Sequence, residues 1–431
     1  MNIVIASVPI HGHVNPLLGV ARSLVARGDR VRFLTGARFA DAVTATGAEH
    51  VPLPDEADFD DRLDLAERFP ERTALSGVKA LAFDVEHVFV QPARAQHDAV
   101  MAAHAAEPAD AVLADPAFAG GAYVLGHPPP RRPAVVVCGV LPLSLASPDV
   151  APFGMGLPPA RRLNRTRNRA LSAVSRPVFR GAERIAADTN RSLHGVPLPH
   201  AVLDWASRAD AIAQFTVASF EYPRADMPAT VHFVGPITVP GTPAPRPDWW
   251  GDLDSDRPVV HVTQGTIANK DPGQLIGPAL EALADEDVLV VVSTGGEPID
   301  TLPALPGNAR AAEYIDHDEL LPHVDAFVTN GGYGGVQKAL RHGLPIVATG
   351  GKEDKPEVGA RIAWSGAGRR IRTEQPRPQQ LRRAIRAVLD DPSYKAASGR
   401  IAADMAAAPG VEGLFRVVDA ACGQNGAAGT G

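Results

Sequence analysis

A glycine-rich segment carries the clearest chemical signal in the sequence. Residues 324–329 are mostly apolar and strand-like, and they stop at a glycine-rich turn, 330–335, that opens directly into helix-like sequence. Glycine lets the backbone approach an anion closely, and the free N–H groups and positive dipole end of a starting helix point at that anion. The segment therefore predicts a phosphate-binding turn, with a plain structural turn as the alternative.

A histidine and an aspartate form a second candidate site. His13 lies between a predicted strand and a helix that we expect to begin near Pro16, and Asp115 ends another predicted strand. Strand ends at one edge of an α/β sheet hold ligands, so the two residues can meet there. An imidazole can act as a general base while a carboxylate fixes its tautomer. A loop histidine and a turn cap are the structural alternatives.

His11 and His13 together are a weak candidate for a metal pair. The sequence around them offers no carboxylate or cysteine at the spacing of metal ligands. We therefore predict no metal site in this turn.

Strand-like runs that alternate with helix-like segments must position these residues. The predicted strands are residues 3–7, 31–34, 111–114 and 134–138, followed by a second series at 259–263, 288–293, 326–329 and 346–348. This alternation is typical of parallel sheets that are covered on both faces. Residues 239–250 separate the two series and are rich in proline, which favours a stiff, exposed linker. The fold class is therefore α/β, with two domains facing each other across a cleft.

Length, charge and cysteine content narrow the function classes. A chain of 431 residues predicts two or three domains. A net charge of −7 argues against nucleic acid or an anionic membrane as a partner. We expect a soluble, cytoplasmic protein. The sequence has only two cysteines, starts without a basic leader and lacks an apolar run of about 18 residues.

An arginine-rich region could be mistaken for a nucleic-acid-binding arm. Eight arginines fall between Arg161 and Arg184, with apolar residues interleaved. In an acidic chain this pattern favours one or two amphipathic helices with a solvated basic face. In a two-domain enzyme such an insertion could also cover a substrate pocket.

Four motifs in this order resemble the family-one glycosyltransferases of GT-B fold, notably the bacterial branch that glycosylates macrolides and other natural products. The motifs are residues 11–16, the turn at Asp115, residues 329–335 and residues 342–345. The resemblance covers nearly the whole chain and implies two Rossmann-like, doubly wound domains. It implies that His13 deprotonates an acceptor hydroxyl and that Asp115 orients His13. The implied domains are 1–238 for the acceptor, 239–257 as linker, 258–405 for the nucleotide-sugar donor, and 406–431 as C-terminal helix and flexible tail.

The resemblance also implies a donor site in the second domain. Thr266 should meet the diphosphate or the sugar, Tyr314 should stack on the base, and Asn330 stands where the family has a phosphate-binding histidine. The implied donor set is Thr266, Tyr314, Ile315, His317, Asn330, Gly332, Tyr333, Gly334, Gly335, Val336, Lys338, Asp354 and Lys355. Two differences from the family pattern affect which donor is expected. Lys338 replaces a glutamate that binds the ribose hydroxyls, and Asp354-Lys355 replaces an Asp-Gln pair that contacts the sugar.

The acceptor site is less defined by the sequence. Apolar residues in loops near the first domain suggest Phe83, Phe89, Phe153 and Met155 as its lining. The implied reaction is an inverting, metal-independent transfer of a hexose, with no cofactor and with UDP-glucose as the favoured donor. A dTDP-deoxysugar donor, a nucleotide-sugar epimerase and an inactive partner-binding homologue are the alternatives. The expected partners are the two small-molecule substrates, and the chain is expected to be a monomer or homodimer.

Overall fold

The first domain is built on a seven-stranded sheet. The computed structural model describes residues 1–63, 65–237, 244–267 and 269–427. The strand order is β3-β2-β1-β4-β5-β6-β7, and all neighbouring strands are parallel. The strands are β1 (Asn2–Ala6), β2 (Arg30–Thr35), β3 (Glu49–Pro52), β4 (Ala111–Ala114), β5 (Ala134–Gly139), β6 (Ala211–Gln214) and β7 (Val231–Phe233).

The second domain contains a six-stranded parallel sheet in the order β10-β9-β8-β11-β12-β13. Its strands are β8 (Val259–Thr263), β9 (Leu289–Ser293), β10 (Ala309–Ala312), β11 (Ala326–Thr329), β12 (Ile346–Ala348) and β13 (Gly368–Arg370). Each of the eight strands predicted from the sequence is confirmed to within one residue at either end. In both sheets the order reverses beside the first strand, which is the doubly wound Rossmann arrangement. The predicted α/β class with two doubly wound domains is thereby confirmed.

Helices cover both faces of each sheet. In the first domain they are α1 (His11–Arg27), α2 (Ala40–Thr44), α3 (Leu65–Arg68), α4 (Gly77–Asp84), α5 (Ala93–Ala106), α6 (Gly121–Val124), α7 (Asn164–Ser175) and α8 (Arg180–His194). The later helices are α9 (Ile276–Leu283), α10 (His317–Leu320), α11 (Tyr333–Arg341), α12 (Lys355–Ser365), α13 (Pro378–Asp390), α14 (Pro392–Ala407) and α15 (Gly410–Ala427). The arginine-rich region thus forms two helices, α7 and α8, as its pattern predicts. None of the helices in the described residues has the length and apolar character needed to cross a membrane.

The cores follow from alternation along the strands. Val4 and Val112 pack in the cluster on one face of the first sheet, while Ile3 and Leu113 pack in the cluster on the other face. Successive side chains of a strand point to opposite faces, so a strand buried on both faces is apolar throughout. Full burial of each such side chain contributes roughly 1.5–3 kcal/mol. This explains why continuous apolar runs located the strands so closely.

The last helix returns to the first domain. Leu414 and Val418 of α15 are fully buried in the cluster that also contains Ile3 and Val14. The preceding helix, α14, packs in the second domain through Ile401. The chain therefore returns from the second domain to the first between α14 and α15. Residues 428–431, where a flexible tail was expected, lie outside the described residues.

Two local expectations were wrong. Helix α1 begins at His11 rather than near Pro16, and Pro16 lies inside it. The buried apolar stripe extends back to Val14, and its packing outweighs the one backbone hydrogen bond that proline cannot make. The expected linker was also too long. Residues 238–243 are not described, but Trp249 and Trp250 pack, half-buried, against the core of the second domain.

Candidate active site

A large cleft opens where the two sheets face each other with the carboxyl ends of their strands. Its volume is 2430 Å³, and residues that follow β1 and β4 line it opposite residues that follow β8 and β11. These strands flank the points at which the strand order reverses in the two sheets. Such switch points are where open α/β sheets bind ligands.

His13 and Asp115 meet at the floor of the cleft, as predicted. The first turn of α1 places His13, and the end of β4 places Asp115, so that His13 Nδ1 lies 3.0 Å from Asp115 Oδ1. Backbone amides of Val8 and Ala117 also donate to this fully buried carboxylate, over 2.8 and 2.7 Å. Because a carboxylate only accepts, Nδ1 carries the hydrogen and Nε2 keeps a lone pair. The imidazole is thus held in the tautomer that a general base requires.

The charges around His13 favour its protonated form. Burial opposes protonation of His13, but the negative charge of Asp115 and its hydrogen bond to the ring outweigh burial. Together with the negative charges of Asp354 and Glu353, they raise the pKa of His13 above 6.5. Asp354 comes from the second domain, and burial, together with repulsion from Glu353, raises the pKa of its carboxyl to about 6. The imidazole of His13 from one domain is therefore coupled to the carboxyl group of Asp354 from the other.

The glycine-rich turn has the geometry of an anion site. Helix α11 begins at Tyr333 after Gly332 as its N-cap, so the amides of residues 333–335 have no partner within the helix. A Cβ added at Gly334 would meet no protein atom within 4 Å, so the space beside this first turn is open. Gly332, Gly334 and Gly335 all line the cleft. Backbone N–H groups and the helix dipole can therefore receive a phosphate here.

Two donor-site assignments need correction at this turn. The amide of Val336 donates to the carbonyl of Gly332 over 3.1 Å, and its side chain is fully buried in the core, so Val336 has no group left for a phosphate. Asn330 lines the cleft, but its side-chain amide donates to the Gln264 carbonyl, and its oxygen accepts weakly from the Gly332 amide at 3.4 Å. Asn330 therefore holds the end of β8 against the start of α11 and keeps one N–H for a ligand.

A pair of histidines lies beside the turn. His261 on β8 is fully buried, and its Nδ1 donates to the Val291 carbonyl over 2.9 Å. Its Nε2 lies 3.1 Å from Nε2 of His317, which lines the cleft. Burial lowers the pKa of His261 to about 4. Burial, with repulsion from His261, Lys338 and His342, holds the pKa of His317 well below 6.5. Both rings are neutral, so His317 must donate from Nε2 and presents Nδ1 as an acceptor.

The sequence analysis missed His261. The signal that could have found it is a histidine in the middle of a continuous apolar strand, Val259–Thr263, where only a hydrogen-bonded polar group is tolerated.

Comparison with known proteins decides the family. A model named for the C-terminal domain of erythromycin biosynthesis protein CIII-like proteins matches residues 278–418. The 4'-demethylrebeccamycin synthase of Lentzea aerocolonigenes is 42% identical over 411 residues, covering 94% of this chain and 96% of the relative. The chain belongs to the family-one glycosyltransferases of GT-B fold.

A further relative and a solved structure support the same family. UDP-glycosyltransferase 2 of Phaeomoniella chlamydospora is 37% identical and is aligned over 91% of this chain and 90% of its own length. The structure of the calicheamicin glycosyltransferase CalG4 matches with a TM-score of 0.73 at 25% identity, covering 98% of both chains. The protein is therefore a glycosyltransferase of the natural-product type.

The remaining predicted donor residues of the glycosyltransferase divide into two groups. Those that line the cleft are Thr266, His317, Lys338, Asp354 and Lys355, together with Tyr333, whose side chain is largely buried. Tyr314 and Ile315 do not line it. The side chain of Tyr314 is 59% exposed and extends over Gly296, whereas Ile315 packs against the core of the second domain. Base stacking on Tyr314 therefore stays a prediction.

The residues that line the predicted acceptor side of the cleft also differ in part from the prediction. Phe89 and Phe153 line the cleft, but Phe83 and Met155 do not. Phe83 instead stacks on His87, with ring centroids 3.9 Å apart and an interplanar angle of 12°. Apolar lining residues that the sequence analysis missed are Leu81, Val85, Val88, Leu145, Phe179 and Trp205. The helical spacing of those from Leu81 to Val88 is the signal that could have found them.

Proposed function

We propose that this glycosyltransferase moves a hexose from a nucleoside-diphosphate sugar to a hydroxyl group of a hydrophobic natural product, with inversion at the anomeric carbon. The observation that carries this proposal is the tautomer-fixed His13 in a cleft that also contains the free first-turn amides of α11. A base from one domain and an anion site from the other frame the space in which a sugar would react.

The chemical step follows from this arrangement. The acceptor O–H donates to Nε2 of His13, and its oxygen attacks the anomeric carbon as the imidazole takes the proton. The bond from that carbon to the diphosphate breaks, and the nucleoside diphosphate leaves towards the start of α11. Attack and departure on opposite faces of the sugar invert the configuration. A positioned base is typically worth about 10²–10⁴-fold, and Asp115 stabilises the imidazolium that forms.

Negative charge on the leaving diphosphate has several counterparts in the cleft. The amides of residues 333–335 and the positive end of α11 lie on the donor side, with Lys338 and Lys355 among the lining residues. Preorganised donors and cations of this kind stabilise developing charge. The proposed reaction therefore uses neither a metal ion nor a cofactor.

UDP-glucose is the proposed donor. Relatives from Starmerella bombicola and Beauveria bassiana, each 33% identical over at least 91% of this chain, are named UDP-glucosyltransferases. Asp354 offers a carboxyl group to sugar hydroxyls, which favours a sugar that keeps them. A dTDP-deoxysugar is the second candidate. Lys338 replaces a glutamate that would bind the ribose hydroxyls, and without that carboxylate the site has less reason to reject a deoxyribose.

The acceptor is proposed to be a macrolide or an aromatic polyketide. Aromatic and aliphatic side chains such as Phe89, Phe153 and Trp205 form the acceptor side of the cleft. Apolar walls with a few polar groups are typical of sites for hydrophobic small molecules. Family membership argues against the epimerase alternative, and the intact His13–Asp115 pair argues against an inactive homologue.

Incubation of the protein with UDP-glucose or dTDP-glucose and a mixed library of hydroxylated macrolides and polyketides tests the proposal. We expect mass spectrometry to find acceptors enlarged by one hexose, and NMR to find a β-glycosidic product from the α-linked donor. The same product in equal yield from His13→Ala, or an α-glycoside, would contradict the mechanism.

A further inference from the structure

Three histidines outside the cleft converge on one point of the first domain. His97 lies on α5, His127 follows α6, and His194 is the last residue of α8. One ring nitrogen of each lies within 4.8 Å of the other two. We propose that these three histidines form a binding site for a divalent late first-row transition metal, with Zn²⁺ as the best match. This site has no part in the proposed function.

The environment of His97 is that of a metal ligand. Its Nδ1 lies 2.7 Å from Oδ1 of Asp98, and the ring is 4% exposed. Because the carboxylate only accepts, Nδ1 carries the hydrogen and Nε2 keeps its lone pair on the side of the cluster. Metal-ligating histidines usually donate their second nitrogen to a carboxylate in this way, which fixes the ring and makes it more basic.

The contact between His97 and His127 is a direct hydrogen bond that an ion would replace. Their Nε2 atoms are 3.0 Å apart, their ring centroids are 5.3 Å apart and the interplanar angle is 7°, so the two rings meet end to end. Two imidazoles that bind one tetrahedral Zn²⁺ at 2.0–2.1 Å place their nitrogens roughly 3.3 Å apart. To bind one ion, the two nitrogens separate by a few tenths of an ångström, each ring turns by roughly 35° so that both lone pairs point at the ion, and His127 moves its hydrogen from Nε2 to Nδ1.

His194 closes the third side of the cluster. Its Nε2 donates to the Tyr123 carbonyl over 3.0 Å, which leaves the lone pair on Nδ1. Its ring centroid is 4.7 Å from that of His127, with the planes at 84°. The side chain approaches so closely that a Cβ at Gly126 would collide with the imidazole. Glycine at this position therefore permits the convergence of the three rings.

The ligand set suits Zn²⁺ as well. Neutral imidazole nitrogens are preferred ligands of Zn²⁺, and three of them leave one coordination position for water.

The position of the site gives the metal a structural consequence. An ion held there would tie the end of α8 to α5 and to the loop before β5. Glu183 on α8 lines the acceptor side of the cleft. A bound metal should therefore stiffen the acceptor wall and leave the nucleotide side unchanged.

Direct metal titration tests the proposal without reference to glycosyl transfer. The full-length protein, stripped with a chelator and dialysed, is titrated with Zn²⁺ by calorimetry and in competition with a chromophoric chelator. We expect one equivalent to bind with a Kd of 1 µM or tighter, and the melting temperature to rise with Zn²⁺. His97→Gln and His127→Gln should each abolish this equivalent. His232→Gln, which removes an exposed histidine on β7, should retain it.

Asp98→Asn provides a graded test, because loss of a second-layer carboxylate typically weakens metal affinity by 10- to 100-fold. This exposed residue can change without loss of the fold, which circular dichroism checks for each variant. Cu²⁺ added in place of Zn²⁺ should give an electron paramagnetic resonance spectrum with nitrogen hyperfine structure, which His97→Gln loses. The proposal is overturned if the wild-type protein binds no Zn²⁺ at 50 µM, or if both histidine variants keep the full equivalent.

Discussion

Arg361 of the second domain forms a buried ion pair with Glu221 of the first domain, with 2.9 Å between Nε and Oε2 and both side chains 1% exposed. The same guanidinium pairs with Glu357 at 2.9 Å. The other oxygen of Glu357 accepts from the amides of Gly154 and Gly156, over 3.0 and 2.7 Å. This network joins a loop of the acceptor side to α12, the helix that follows Asp354. The arrangement of the two domains around the cleft therefore includes charges that are buried between them.

Replacement of Arg361 by methionine should strongly destabilise the protein. The change leaves Glu221 and Glu357 buried without their cation, and breaking a buried pair from one side typically costs about 3–5 kcal/mol. Equilibrium unfolding in urea measures the loss. Arg386→Met is the matched control, because it breaks an exposed pair with Asp390 that is worth about 0.3–0.5 kcal/mol. Equal losses in the two variants would contradict a structural role for the buried network.

Loss of the proposed base should abolish most turnover. His13→Ala is expected to lower kcat by about 10²–10⁴-fold while nucleotide affinity, measured by calorimetry, stays within twofold. Asp115→Asn should lose less, because it impairs only the orientation and charge of the ring. His11→Ala changes a histidine in the same turn that does not contact Asp115, and it should retain far more activity. Turnover of His13→Ala within about threefold of wild type would remove His13 from the mechanism.

The pH profile should reflect the carboxylates around His13. Only neutral His13 accepts a proton, and its pKa lies above 6.5, so kcat/KM should fall as the pH drops through that raised value. Asp354→Asn removes a negative charge that favours the imidazolium. The pKa of His13 should then fall, and the acidic limb of the profile should move to lower pH. A limb that moves to higher pH, or does not move, would show that Asp354 is not coupled to the base.

Backbone amides should carry much of the phosphate affinity. Gly334→Val places a side chain in the open space before α11 without demanding a strained backbone, so UDP affinity should fall at least tenfold in calorimetry. Gly423→Val is the control, since that glycine also lies in a helix with open space around it. Asn330→Ala should weaken UDP binding by about 1.5–3 kcal/mol, the usual contribution of a hydrogen bond to a charged group. Normal UDP binding by Gly334→Val would place the phosphate elsewhere.

Discrimination between UDP and dTDP should be weak. Lys338 lines the cleft and replaces the glutamate that would bind the ribose hydroxyls. The 2'-hydroxyl therefore lacks its expected carboxylate acceptor. Competition titration should give affinities that differ by less than a hundredfold, which corresponds to about 2.7 kcal/mol. Lys338→Glu should increase the preference for UDP. A larger preference in the wild-type protein would mean that another group reads the ribose.

The sequence by itself determined the fold class, the positions of eight strands and the places of the residues proposed to act in the reaction. Continuous apolar runs mark strands that are buried on both faces, and this information is local to each run. His13, Asp115 and the turn at 330–335 were located for a related reason. The carboxyl ends of parallel strands meet at one edge, so a residue's place after a strand already fixes its neighbourhood.

Only the tertiary structure decided which side chains enter the cleft. Tyr314 and Phe83 occupy plausible places in the chain but face other neighbours, and the amide of Val336 is consumed within its own helix. The pairing of His261 with His317 and the three-histidine cluster join residues that are 30 or more positions apart. Side-chain direction depends on packing between distant elements, and no periodicity within one element encodes it.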